Sequence, residues 1–141
     1  MKAHVRFDGA SLGNPGPMGA GAVVDIVGLP SARKELAMPL GDGTNNEAEY
    51  HGLILGLRHA LAAGADEVEV AGDSQLVIRQ LEGKYTVKAA NLRPLHDEAR
   101  RLLARFRRVK LRWVPRDENA DADRLSMDGA LASKRARAGH G

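Results

Sequence analysis

Several acidic residues stand where the chain has little structural use for them. Asp8 closes the alternating run from Lys2 to Phe7, and Asp73 closes the run from Glu67 to Gly72. Each has an ordinary explanation. Asp8-Gly9 is a common turn pair, and Asp73 can cap a helix that begins at Ser74. Glu49 is harder to explain away. It lies four residues before Leu53 and eight before Leu57, so on a helix it shares their apolar face. An unpaired carboxylate at the edge of a core costs several kcal/mol, and a bound cation would offset that cost directly. Asp121 and Asp123 open the last helical segment, where acids complement the helix dipole. Two residues apart on a helix they point about 200° apart, so only one of them can face a given site.

Competing chemistries fail on their own spacing. Asp117, Asn119 and Asp121 match the first, third and fifth positions of a calcium loop. Ala122 then stands where glycine is needed, Asp128 where glutamate is expected, and no helix precedes the loop. The Gly9–Gly16 segment lacks the Gly-Lys-Ser/Thr of a phosphate loop, and Val24 stands where a third glycine would complete a dinucleotide fingerprint. The histidines (His4, His51, His59, His96 and His140) are scattered, and none stands beside a nucleophile. Cysteine is absent, which excludes a disulfide scaffold, a thiolate zinc site and a cysteine nucleophile, and fits a reducing compartment.

The elements that must position the acids follow from length and periodicity. The chain has 141 residues, 43% hydrophobic and 28% charged, which suits one soluble domain with one core. No apolar run approaches the roughly 20 residues that span a bilayer, so the expectation is a cytoplasmic chain with no membrane partner. Lys2–Phe7, Gly19–Val27 and Ala32–Leu40 read as strands, with a loop over Gly9–Gly16 and a turn at Gly28, Leu29 and Pro30. A helix from Asn46 to Ala63 follows, opened by a Thr44/Glu47 capping box and stopped by Gly64. Glu67–Gly72 is a strand, Ser74–Leu81 a short helix and Leu92–Phe106 a basic helix. Val109–Val114 is a strand with Val109, Leu111 and Trp113 on its inner side, and Asn119–Ala132 is the last helix. The order βββαβααβα predicts an α/β fold, a mixed sheet flanked by helices, with its site outside the carboxyl ends of the strands. Residues 1–133 form the domain in this reading, and 134–141 a basic, flexible tail.

Net charge is only +3, yet eight basic residues fall between Arg100 and Arg116 with no acid among them. A basic stretch on an otherwise acidic chain suits a polyanion docking beside an acidic site. A solvated Arg-rich face is the plainer alternative.

Four motifs, in order and spanning nearly the whole chain, resemble those of the type I ribonuclease H family. They are Phe7-Asp8-Gly9-Ala10-Ser11-Leu12-Gly13-Asn14-Pro15-Gly16-Pro17, Thr44-Asn45-Asn46-Glu47-Ala48-Glu49-Tyr50, Gly72-Asp73-Ser74-Gln75 and Asn119-Ala120-Asp121-Ala122-Asp123-Arg124-Leu125. The resemblance implies a ribonuclease H-like mixed five-stranded sheet. It implies catalytic and metal-binding carboxylates at Asp8, Glu49, Asp73 and Asp123, the last in preference to Asp121. The reaction implied is endonucleolytic hydrolysis of the RNA strand of an RNA–DNA hybrid, leaving 5′-phosphate and 3′-hydroxyl ends. Two Mg²⁺ ions, with Mn²⁺ as a substitute, are the cofactors implied, and four carboxylates balance their charge.

Reading RNA requires contact with the 2′-hydroxyl. The candidate readers are the Gly13–Gly16 loop with Asn14, together with Asn46 and Gln75, while Thr44 and Asn45 are candidates to hold a phosphate of the DNA strand. Double-stranded RNA is an alternative substrate, because an A-like duplex is read by shape. A catalytically weak binding module is a further alternative, disfavoured because a negative cluster repels phosphate. Another nuclease on this fold, an exonuclease or resolvase, is disfavoured by the Asn-Asn and Asp-Ser-Gln contexts. A monomer is the default expectation.

The sequence departs from the family pattern twice. Many members carry a His in the loop before the last Asp; here that loop is Pro115-Arg116-Asp117-Glu118. Either one of its three charged residues takes that role, or the role is missing. The chain also resembles the compact form of the family. The Glu82–Asn91 connection is short, with only Lys84 and Lys88, where some members have a long basic protrusion.

Overall fold

A computed structural model describes residues 1–28 and 32–139. Leu29 and Pro30 of the expected turn and His140 of the expected tail lie outside the described residues. The strands are β1 (Lys2–Ser11), β2 (Gly16–Ile26), β3 (Arg33–Gly43), β4 (Glu67–Gly72) and β5 (Arg108–Trp113). The helices are α1 (Asn45–Ala62), α2 (Gln75–Leu81), α3 (Arg93–Leu103) and α4 (Ala120–Gly139), with a 3-10 turn at Arg116–Glu118. The strands form one mixed sheet in the order β3-β2-β1-β4-β5. β1, β2 and β3 are antiparallel neighbours, and β4 runs parallel to both β1 and β5.

Alternation along β1 distributes side chains to two layers. Val5 and Phe7 meet Tyr50, Leu53 and Leu57 of α1, with Val77, Ile78 and Leu81 of α2 and Leu103 after them, in one core. Fully burying each such aliphatic chain contributes about 1.5–3 kcal/mol. Asp8 points the other way, toward Ser126 of α4. Glycine sets how closely each helix approaches. A Cβ at Gly9 would lie 2.1 Å from backbone atoms of Ala48 and Glu49, so α1 rests directly on β1 there. A Cβ at Gly21 would lie 2.4 Å from the backbone of Ala122 and Ser126, so α4 rests on β2.

Four expectations need correction. Asp8 does not end its strand. β1 continues to Ser11, because Asp8 to Ser11 pair with Met18 to Gly21 of β2, so the loop shrinks to residues 12–15. Asp8-Gly9 is therefore extended backbone, not a turn. The inner side of β5 is also more open than its alternation suggests. Leu111 packs on the core, but Val109 and Trp113 are exposed on this edge strand. The last helix does not stop at Ala132, since α4 runs to Gly139. Its later turns are held by buried Ser133, whose hydroxyl donates to the Met18 carbonyl at 2.6 Å and accepts from the amides of Leu40 and Gly41. Finally, the basic stretch is not one face. It is divided among α3, the connection after it, β5 and the 3-10 turn, and among the described residues five of its eight members are engaged within the chain. Arg107 and Arg108 lie on Glu67, Lys110 on Glu69, Arg116 on Asp123, and Arg100 donates to the Leu81 carbonyl.

Candidate active site

Parallel pairing of β1 with β4 ends at Phe7 and Gly72, so Asp8 and Asp73 emerge side by side one residue further on. Asp73 is free to do so because the next residue caps α2: the Ser74 hydroxyl accepts from the Val77 amide at 3.2 Å. The capping box at the start of α1 is present, with Thr44 accepting from the Glu47 amide and Glu47 accepting from the Thr44 amide. That box orients the first turn of α1, and the close approach at Gly9 brings Glu49 to the same spot.

One carboxylate oxygen each from Asp8, Glu49 and Asp73 lies within 4.8 Å of the others. Asp123 lines the same open cleft, of about 340 Å³, but stands outside that tightest group. It is half-buried and faces the Arg116 guanidinium at 3.4 Å. Asp121 points elsewhere, pairing with Arg33 at 2.9 Å, so of the two acids on this helix Asp123 is the one in the cleft.

The electrostatics are those of a crowded acid site. Burial pushes the Asp8 carboxyl up to about 7, and the charge of Asp73 adds to this. Burial raises Glu49 well above its ordinary range, reinforced by Asp8 and Asp73. Burial also raises Asp73, with Asp123 adding and Arg116 opposing. Glu49 Oε2 is buried and has no hydrogen-bond partner among the described residues. Hard carboxylate oxygens, close together and with that of Glu49 left unpaired, are the donor set a divalent cation of the magnesium class requires. The residues present therefore fit such an ion.

Three neighbours not singled out from sequence shape the cleft. The Ser126 hydroxyl donates to Asp8 Oδ2 at 2.9 Å, with the Asp123 carbonyl oxygen 2.8 Å away as an alternative acceptor. Asn119, buried, donates from Nδ2 to the Phe7 carbonyl at 2.9 Å and ties the last loop to β1. Met127 supplies an apolar wall. Ser126 carried no signal, since it depends on the register of α4 over β2. Asn119 did carry one, as the first residue of the fourth motif. Among the charged residues of the 115–118 loop, Arg116 lines the cleft; Glu118 turns its carbonyl to Arg6.

The other residues singled out from sequence are distributed around the rim. Asn45 lines the cleft, and its amide donates to Asn14 Oδ1 at 3.0 Å, joining the β1–β2 turn to the start of α1. Thr44 is occupied by the cap. Asn46 and Gln75 are exposed, at the first turns of α1 and α2.

Fold and site together define a reverse transcriptase-like domain, and a family profile of that description matches residues 7–129. The bifunctional protein Rv2228c of Mycobacterium tuberculosis is 44% identical over 138 residues, 98% of this chain. The chain spans 38% of that relative's length. The solved N-terminal RNase H domain of Rv2228c superposes with a TM-score of 0.91 at 43% identity, covering 96% of this chain and 98% of that one. A ribonuclease H of Desulforamulus reducens is 34% identical over 138 residues, covering 87% of this chain and 84% of the relative. LC11-RNase H1, solved in complex with an RNA/DNA hybrid, superposes with a TM-score of 0.83 at 31% identity, over 93% of this chain and 98% of that one. The chain belongs to the ribonuclease H family.

Proposed function

We propose that the protein is an endonuclease that hydrolyses the RNA strand of RNA–DNA hybrids, leaving 5′-phosphate and 3′-hydroxyl ends. The observation that carries this reading is the convergence of Asp8, Glu49 and Asp73 within 4.8 Å, beside Asp123 in one cleft. The solved complex of LC11-RNase H1 with an RNA/DNA hybrid supports the choice of substrate.

Asp8, Glu49, Asp73 and Asp123 would hold two divalent ions, Mg²⁺ or Mn²⁺, which supply an activated water and stabilise the leaving oxygen. The rest is done by the chain. Ser126 fixes one oxygen of Asp8, leaving the other turned to the cleft. Asn119 holds the loop from which α4 starts, and so sets the height of Asp123 against β1. Arg116 supplies positive charge at the rim, where a phosphate must approach four acids. Asn45, which lines the cleft, Asn14, which accepts from its backbone amide, and the exposed Asn46 and Gln75 are the readers of the sugar and backbone in this reading, with Thr44 as a further contact. Every group named comes from one chain, so a monomer suffices for the reaction.

The test is incubation with labelled RNA–DNA hybrid, double-stranded RNA and double-stranded DNA, each with Mg²⁺, Mn²⁺ or EDTA. Internal cuts in the RNA of the hybrid, present with metal and absent with EDTA, are expected. Cleavage that persists in EDTA, or equal attack on double-stranded DNA, overturns the reading. The double-stranded RNA arm decides how far shape alone is read.

A further inference from the structure

The end of α4 carries a second feature that the catalytic cleft does not use. Leu12 and Pro17, flanking the β1–β2 turn, together with Lys134, Arg137 and Ala138 of α4, line a separate cleft of about 420 Å³. Its walls are apolar apart from the two cations. The position is fixed, because Ser133 pins this part of α4 to β2 and β3 through three hydrogen bonds. Acidic opposition is slight: Asp42 faces Arg137 at 3.3 Å, with both side chains more than half exposed. Such a pair contributes little and exchanges readily for another anion.

This cleft continues the catalytic one along two elements at once. Met127 of α4 lines the first and Lys134 the second, seven residues and about 10 Å apart on one helix face. Asp8 of β1 lines the first, and Leu12, the residue just after that strand, lines the second, four residues and at most about 13 Å apart. Between them Leu131 is exposed on α4, one turn from Met127. A B-form duplex rises about 3.4 Å per base pair and an A-like hybrid less, so the two clefts are a few base steps apart on a bound strand.

We propose that Lys134 and Arg137 form a second backbone-phosphate contact for the bound nucleic acid, a few base pairs from the cleaved bond. The proposal rests on the hybrid-nuclease reading above and extends it. Regularly spaced negative charge is what two cations at a fixed distance from an acidic reaction centre would recognise.

Binding is tested by fluorescence anisotropy with a labelled RNA–DNA hybrid, in an Asp73→Asn background that prevents cleavage. The measured quantity is the slope of log affinity against log salt. Each lost phosphate contact lowers that slope by about 0.9, which is a threefold to fourfold change in affinity between about 50 and 200 mM salt. Lys134→Gln with Arg137→Gln is expected to flatten the slope by nearly 2. Lys134→Arg with Arg137→Lys is expected to keep it, which separates lost charge from lost structure. Asp42→Asn, which frees Arg137, is expected to tighten binding. Lys34→Gln, at the far end of the β2–β3 hairpin, is expected to leave the slope unchanged. An unchanged slope in the double glutamine variant overturns the contact, as does equal flattening by Lys34→Gln. If the unsubstituted chain fails to cut hybrids at all, the reading in the previous section fails instead.

Discussion

Glu49 and Tyr50 are neighbours on α1, and both carry polar atoms into the interior, yet their surroundings are opposite. The Tyr50 hydroxyl donates to Gln80 Oε1 at 2.5 Å and faces His96 Nδ1 at 3.3 Å, with the two rings edge to face. That network joins α1, α2 and α3 and closes on itself. Glu49 lies among acids and leaves Oε2 without a partner. A satisfied buried network needs nothing from outside, whereas a repelling acid cluster open to a cleft carries a cost that a cation would offset. One residue along the helix thus separates a structural polar cluster from a chemical one.

The largest effect should come from the acid side. Asp73→Asn is expected to lower hybrid cleavage by at least about a thousandfold while the thermal midpoint holds or rises, since a repelling charge is removed. Single-turnover cleavage and a circular-dichroism melt check the two halves; lost activity with lost folding would erase the contrast.

Tyr50→Phe should do the reverse. It leaves Gln80 Oε1 buried and unpaired and should cost about 1–3 kcal/mol of stability in urea titrations. The cleavage rate of the folded variant should stay near that of the unsubstituted protein. A variant as stable as the parent would mean that the network contributes nothing.

The pH dependence sharpens the same distinction. Asp8, raised to about 7 by burial, and the raised Glu49 and Asp73 bind protons more tightly folded than unfolded. In EDTA, the contribution of these three acids to stability should therefore be fullest below the ordinary carboxylate range and fall as pH rises from about 4 to about 7, against the opposite trend of Glu47, Asp66, Glu69 and Glu82, whose carboxyls are held low. Divalent ions compete with those protons, so they should restore stability near neutrality, and cleavage should rise through the same interval. Denaturant midpoints against pH, with and without Mg²⁺, measure this. An EDTA profile that Asp73→Asn leaves unchanged would show that the acids are not coupled to folding.

The smallest effect is expected at the rim. Arg116→Gln removes the positive charge opposing the rise of Asp73. It should move the midpoint of the pH–rate curve upward by less than about one unit. A downward shift would assign Arg116 a different role.

Much of the architecture was legible because it is local. The Thr44/Glu47 box, the Ser74 position and the alternation of β1 and β4 each depend on residues a few places apart. The placement of Glu49 on the Leu53/Leu57 face followed from helical spacing alone. The extension of β1 past Asp8 was not legible, because Asp-Gly is as good a turn as it is a strand. It becomes strand only because Met18 to Gly21 lie opposite. The length of α4 was likewise hidden, since its anchor at Ser133 joins residues more than 90 apart. The basic stretch read as one surface because sequence lists its charges without the acids of β4 that sit across from them.

By itself the sequence determined which acids were out of place, the order of the elements and the family to which its motifs belong. Short-range rules of periodicity, capping and motif spacing decide those things. Only the tertiary structure decided that three of the acids meet within one ion's reach, that Asp123 lines their cleft without entering that tight group, and that Gly9 and Gly21 let two helices close around the spot. Those outcomes depend on backbone contacts between distant segments, which no local rule contains.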